Sequence, residues 1–260
     1  MAGTFSDPQA EMLDRVAAKL RDDERFEALL GSGSLAYGGF DEHSDLDLVV
    51  VTRPDSHAAV MTERHGLASG LGELLAAFTG EHVGEPRLLI CLFGPPLLHV
   101  DLKFVTLDDL DGLAERPVIL WAREAGVVER RLAAAPVRPS GRDPQWFEDR
   151  AWLWLHYGAT KWLRGEYFEA ISTLDFFREK VLGPMLQRNA GRPQRGVRRV
   201  EGLAQAEARL RPTLAGYDRA AIGQALKQTA VLYVELRELE PPLALTAHMP
   251  ALLFDLVEGM

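Results

Sequence analysis

Apolar residues recur at helical intervals near the start of the chain. Met12, Leu13, Val16, Ala17 and Leu20 fall on one face. Asp7-Pro8 ahead of them offers a capping side chain and a proline at the first helical position. The pattern then changes. Phe26–Leu30 is a short apolar strand that runs into Gly31-Ser32-Gly33-Ser34. Leu46–Thr52 is, apart from Asp47, all valine, leucine and threonine, which predicts a strand buried on both faces. Pro54-Asp55-Ser56 opens a helix expected to reach about Phe78, with interruptions near Gly66, Gly70 or Gly72. Arg87–Phe93 and Leu97–Thr106 flank Gly94-Pro95-Pro96 and form a hairpin. Asp108–Leu113 and the segment around Trp121 read as short helices or loops.

Ala133 to Asp143 carries two prolines, with a third at Pro144, and little periodicity, and the domain boundary is placed there, giving domains at 1–135 and 143–260. Beyond it the pattern is helical. Pro144 starts a helix unusually rich in aromatics, from Trp146 to Trp162, that ends after Arg164 at Gly165. Helical spacing makes that aromatic row a bundle core rather than a base-stacking platform. Glu166–Leu186, a segment around Val200–Leu210 and Asp218–Leu239 supply further helices, and a bundle of four or five is their natural packing. The fold class is therefore α+β: a small mixed-sheet core followed by a helical bundle.

Composition narrows the partners. The chain has 29 basic and 38 acidic residues, a net charge of −9, which argues against general affinity for nucleic acid and weakly favours a cationic substrate. No run approaches the roughly 20 apolar residues needed to cross a bilayer. The segment Met1 to Gln9 lacks the basic start and apolar run of a secretory signal. The single cysteine, Cys91, lies in an apolar run and reads as a buried spectator, which suits a cytoplasmic protein.

The candidate chemistry lies between residues 31 and 105. Gly33-Ser34 follows a strand and leads into Leu35-Ala36-Tyr37, a first turn of helix. Glycine lets backbone N–H groups approach phosphate oxygens, and the serine hydroxyl can donate to one. Asp45 and Asp47 then share one face of the next strand while Leu46 and Leu48 enter the core. Two carboxylates so placed repel unless a cation lies between them, and hard oxygen ligands suit Mg²⁺. A third, Asp101, interrupts the apolar strand Leu98–Phe104, completing the acid set that a two-metal site requires. His99 and Lys103 share its face by parity and read as supporting or hairpin-surface residues. Gly33 to Gly39 lacks the Gly-Lys-Ser/Thr of a P-loop, and alanine at position 36 breaks the dinucleotide spacing.

Gly33-Ser34, the ten-residue spacer, Asp45-x-Asp47 and Asp101 together resemble the polymerase-β-type nucleotidyltransferase superfamily. The resemblance implies an adenylyl- or nucleotidyltransferase that uses ATP or another NTP with two Mg²⁺ ions. It assigns metal binding and catalysis to Asp45, Asp47 and Asp101, with Asp101 the first choice for base. It assigns the nucleotide to Gly33 and Ser34, to which Ser44, next to the acid pair, is added. The order of core and helical domain resembles the aminoglycoside and lincosamide nucleotidyltransferases, implying transfer of AMP to an antibiotic hydroxyl with release of pyrophosphate. There, by looser resemblance, Lys161 would reach the triphosphate, and Glu166 or Glu169 would bind a cationic sugar or act as base. A homodimer that completes the cleft is compatible with this resemblance.

Two alternatives stay open at this level. An RNA nucleotidyltransferase would draw on Arg192, Arg195, Arg198 and Arg199, set among glycines and proline. An antitoxin-like enzyme would adenylylate a protein partner, although this chain carries a second domain that minimal cores of that kind lack.

Overall fold

The computed structural model describes residues 5–111, 113, 115–137 and 141–258. It divides into two compact units, Met1–Pro139 and Ser140–Met260. Residues 138–140 of the proline-rich segment, and residue 112, lie outside the described residues.

In the first unit, α1 (Asp7–Arg21) begins one residue earlier than its sequence suggests, with Ser6 as the cap. The Gln9 side chain reaches back to accept from the Ser6 N–H at 2.8 Å. Strands β1 (Phe26–Gly31) and β2 (Leu46–Thr52) flank the single helical turn α2 (Ser34–Tyr37). Then come α3 (His57–Ser69), β3 (Leu74–Gly80), β4 (Glu85–Phe93), β5 (Leu98–Val105), β6 (Val118–Ala122) and α4 (Ala125–Ala134). The six strands form one mixed sheet in the order β3-β4-β5-β2-β1-β6. Among the described residues, only the β2–β5 pair is parallel.

Two expectations are corrected here. The helix opened at Pro54 ends at Ser69, and Leu74–Phe78 is strand, because Gly70 and Gly72 break the helix and β4 offers this segment a hydrogen-bonded partner. Trp121 lies in edge strand β6, paired with Leu29 of β1, rather than in a helix or loop.

The sheet separates two cores. Leu46, Leu48 and Val50 of β2 and Val100, Leu102 and Phe104 of β5 pack beneath α1 and α3, with Met12, Val16 and Val60. On the opposite face Val49, Val51 and Val105 pack with Val128 and Leu132 of α4. Cys91 belongs to the first core, where burial and the Asp101 charge push its thiol up to about 12, so it is unreactive. On the α4-side face, Lys103 of β5 pairs with Glu85 of β4 at 2.7 Å, and Arg87 joins the same carboxylate at 2.7 Å. The Arg87 guanidinium, helped by Lys103, holds the Glu85 carboxyl down at about 2 against the effect of burial. A group depressed in this way stabilises the fold above its unfolded value, about 4.3 for glutamate. That stability fades as pH falls through 2. Glu85→Gln should therefore melt lower than the parent at pH 7. The gap should close between pH 4 and pH 2, as thermal melts across that range would show.

The second unit is helical. Its elements are α5 (Pro144–Leu163), α6 (Tyr167–Phe177), α7 (Gly183–Asn189), α8 (Ala206–Leu210), α9 (Arg219–Leu239) and α10 (Ala251–Glu258). Asp143 caps α5 by accepting from the Trp146 N–H, and Asp218 caps α9 by accepting from the Ala221 N–H. Between α6 and α7 the backbone widens into a π-turn, Arg178–Leu182. Pro184 follows after Gly183; it has no N–H to donate to the carbonyl of the preceding turn and its ring would clash with it, which the wider turn relieves. Phe147, Trp152 and Trp162 are buried, with Trp146 and Trp154 packed against them, so most of the aromatic row of α5 is core, whereas Tyr157 is exposed. Gly223 of α9 permits close approach to Trp162, since a β-carbon there would lie 2.7 Å from the indole ring. At the centre Glu148 accepts from the Trp152 indole, the Tyr233 hydroxyl, the Thr246 N–H and Arg237. Among the described residues no helix is long and apolar enough to cross a membrane.

Candidate active site

The parallel pairing of β2 with β5 sets Asp47 directly beside Asp101. In a parallel pair, partners present side chains to the same face. Alternation along β2 puts Asp47 on the face that carries Val49 and Val51, away from the core residues Leu46 and Leu48. Asp45 precedes the strand by one residue with the same parity. Further along this face α4 packs over Val49, Val51 and Val105; towards the start of β2 the carboxylates are left partly open. Two acids from neighbouring strands and a third just ahead of β2 thus collect at one end of one sheet face.

His99 lies among them. Its Nε2–H donates to Asp101 Oδ1 at 2.9 Å, and its Nδ1 lies 4.0 Å from Asp45 Oδ2. Burial raises the Asp101 carboxyl above its ordinary value; the His99 contact opposes this, and the Asp45 charge adds to it. A carboxylate with raised proton affinity beside a second acid is suited either to hold a cation or to take a proton.

The loop between β1 and α2 meets these acids. The Ser32 N–H donates to the Asp47 carbonyl at 2.8 Å, which seats Gly33 against the Asp47 side chain. Gly33 has φ 55° and ψ −133°, a conformation that favours glycine, and a β-carbon there would lie 1.8 Å from Asp47 Oδ2. Gly33→Ala should therefore displace the Asp47 carboxylate and strain the backbone by about 1–3 kcal/mol. A loss of triphosphate affinity with a lowered melting midpoint would bear this out, whereas parental values of both would refute it.

Two polar groups in this loop invite an anion. The Ser34 hydroxyl is buried and lacks a hydrogen-bond partner among the described residues, a state that normally costs about 1–3 kcal/mol. The Gly33 N–H already donates to a carboxylate, Glu115 Oε1, at 2.7 Å. Glu115 has no motif around it and is found only through the fold. Ser44 is used differently. Its hydroxyl donates to Asp41 Oδ1 and accepts from the Asp41 N–H, both at 3.0 Å, closing the turn that leads into Asp45.

The three residues singled out in the second unit come together within that unit. Lys161 Nζ lies 2.7 Å from Glu166 and 3.1 Å from Glu169, and the Tyr157 hydroxyl donates to Glu169. Arg164 Nη1 lies 3.9 Å from Glu166 as well, so two cations balance the two carboxylates. Phe168, between the two acids in sequence, is 78% exposed and packs against Tyr217.

Among the described residues, no group of three or more His, Cys, Asp or Glu side chains is arranged as a ready metal cage. The donor set nonetheless fits a divalent cation that draws its remaining ligands from substrate phosphates. Asp47 and Asp101 are in register, Asp45 repels Asp101, and the unpartnered Ser34 hydroxyl adjoins the Gly33 cradle.

No family model matches the sequence, and no curated protein matches it. Among solved structures, an aminoglycoside 6-adenyltransferase from Bacillus subtilis is 15% identical over 96% of this chain and 95% of that one, with a TM-score of 0.36. A nucleotidyltransferase-like protein from Exiguobacterium sibiricum 255-15 is 13% identical over 87% of this chain and 75% of that one, with a TM-score of 0.41. Likeness this low carries no argument about this chain, and its functional reading rests on the residues described above.

Proposed function

We propose that the chain is a metal-dependent nucleotidyltransferase that moves a nucleoside monophosphate, AMP in the first instance, from an NTP to a hydroxyl of a small cationic acceptor. The observation that carries this reading is the register of Asp47 with Asp101 beside the Gly33–Ser34 cradle. Divalent cations, two Mg²⁺ ions by preference, would be held by Asp45, Asp47 and Asp101, neutralising the triphosphate and activating the attacking hydroxyl when bound.

The chain's own groups divide the remaining work. The Gly33 N–H and the Ser34 hydroxyl donate to phosphate oxygens, and Glu115 yields its place on Gly33 as the phosphate enters. Asp101 takes the proton of the acceptor hydroxyl, whose oxygen attacks the α-phosphorus while pyrophosphate leaves. His99 orients the Asp101 carboxylate through its 2.9 Å hydrogen bond. Ser44 acts on the nucleotide only through the turn it closes.

For the acceptor, the chain's net charge of −9 favours a cation, and the order of its domains resembles enzymes of the aminoglycoside or lincosamide type, with Glu166 and Glu169 as candidate contacts. Lys161 is tied to both carboxylates, so contact with the triphosphate would require those pairs to open. The test is pyrophosphate release from each of the four NTPs with Mg²⁺ against a panel of aminoglycosides and lincosamides. Acceptor-dependent release supports the reading. Silence across the panel, with Mg·ATP still bound, removes the antibiotic acceptor and leaves the donor chemistry in place.

A further inference from the structure

Gln9 is a polar residue in the first turn of α1, yet it is only 1% exposed. Both ends of its amide are saturated. Oε1 accepts from the Ser6 N–H at 2.8 Å and from the Ser6 hydroxyl at 3.0 Å. Nε2 donates to the carbonyls of Asp41 at 3.1 Å and Ser44 at 2.8 Å. Those two carbonyls bound the turn that delivers the chain to Asp45. The turn is itself closed by the Asp41 carboxylate, which accepts from the His43 N–H and the Ser44 hydroxyl. Phe5 packs against Phe40, with ring centres 4.8 Å apart, just ahead of each of the same two segments. A helix cap alone would need only the Ser6 contact. The two bonds to the turn belong to no regular element, and the Ser44 carbonyl is one peptide away from Asp45.

We infer that Gln9 is a positioning residue for the acid site, holding the 41–44 turn so that the Asp45 carboxylate stands in reach of Asp47 and Asp101. The inference rests on the metal role proposed for those acids. Glutamate at position 9 would keep the size and the acceptor for Ser6 while turning an oxygen towards the Asp41 and Ser44 carbonyls. The turn would lose both donors and move, and Asp45 would move with it.

The test uses the full chain, Mn²⁺ as the metal probe and α,β-methylene ATP as a triphosphate that is not turned over. Free Mn²⁺ is followed by electron paramagnetic resonance at a temperature where circular dichroism shows every variant folded. Gln9→Glu should raise the Mn²⁺ dissociation constant about tenfold. Asp41→Ala, which breaks the same turn from its other end, should shift it in the same direction and serves if Gln9→Glu does not fold. Met12→Ala removes a buried side chain from the same helix and should lower the melting midpoint with less than a twofold change in Mn²⁺ binding. The inference is overturned if Gln9→Glu and Asp41→Ala bind Mn²⁺ as the parent does. It is also overturned if Met12→Ala weakens binding as much as they do. A parent chain that binds no Mn²⁺ overturns the metal reading and this inference together, whereas parental binding unaffected by Gln9→Glu and Asp41→Ala removes the inference alone.

Discussion

Asp47→Asn should reduce nucleotidyl transfer by about three orders of magnitude, because it removes several kcal/mol of charge stabilisation from the metal site. The same change should leave the melting midpoint equal to or slightly above that of the parent. Asp47 is packed against Gly33 and stands in register with Asp101, whose carboxyl is already held above its ordinary value by burial and by the Asp45 charge. In the absence of a cation, each negative charge removed from that face relieves repulsion. The opposed signs make this prediction discriminating: a residue that merely supported the fold would lose stability and activity together. Measuring kcat beside the melting midpoint tests it. Retained turnover would mean that the metal site is misplaced.

The second large effect lies in the core of the helical unit. Glu148 is 1% exposed and accepts from Trp152, Tyr233, Arg237 and the Thr246 N–H. Burial alone would raise its carboxyl, but these donors bring it below its ordinary value. Glu148→Leu would strand Arg237, itself nearly buried, with no carboxylate to answer it. Breaking a buried pair from one side costs about 3–5 kcal/mol. That corresponds to a fall of the order of 10 °C in the melting midpoint of the helical unit. Adding Arg237→Leu should restore part of the loss, since two apolar groups of similar volume no longer leave a bare charge. A double variant as unstable as the single one would show that packing, not the ion pair, dominates there.

How far the sequence foretells the structure differs between its parts. The bounds of β2 were legible because a run of β-branched and leucine residues can only be a buried strand. The acids stood out because they interrupt such runs. The helix start at Pro144 and the stop at Gly165 were equally local signals. Strand β3 was not legible. Leu74–Phe78 is apolar without alternation, and only pairing with β4, a nonlocal event, makes it a strand. Trp121 was lost for the same reason, in an edge strand defined by its partner β1. Within the site, parity placed His99 on the face of Asp101 but could not place its ring between Asp101 and Asp45. Glu115 and Gln9 carry no spacing signal at all. Their roles come from contacts with residues 82 and 35 positions away in the chain. Ser44 shows the reverse case, in which proximity in sequence suggested a nucleotide contact and the fold engages the hydroxyl in a turn.

The central claim is that the bond broken lies at the α-phosphorus of the triphosphate. It is tested most directly by running the Mg²⁺-dependent reaction with the acceptor panel twice, once with α-labelled and once with γ-labelled ATP. The account predicts that α-label becomes attached to the acceptor while γ-label leaves as pyrophosphate, and that Asp47→Asn stops both. Transfer of γ-label to the acceptor, or its release as inorganic phosphate with the α-label left on ADP, would contradict it.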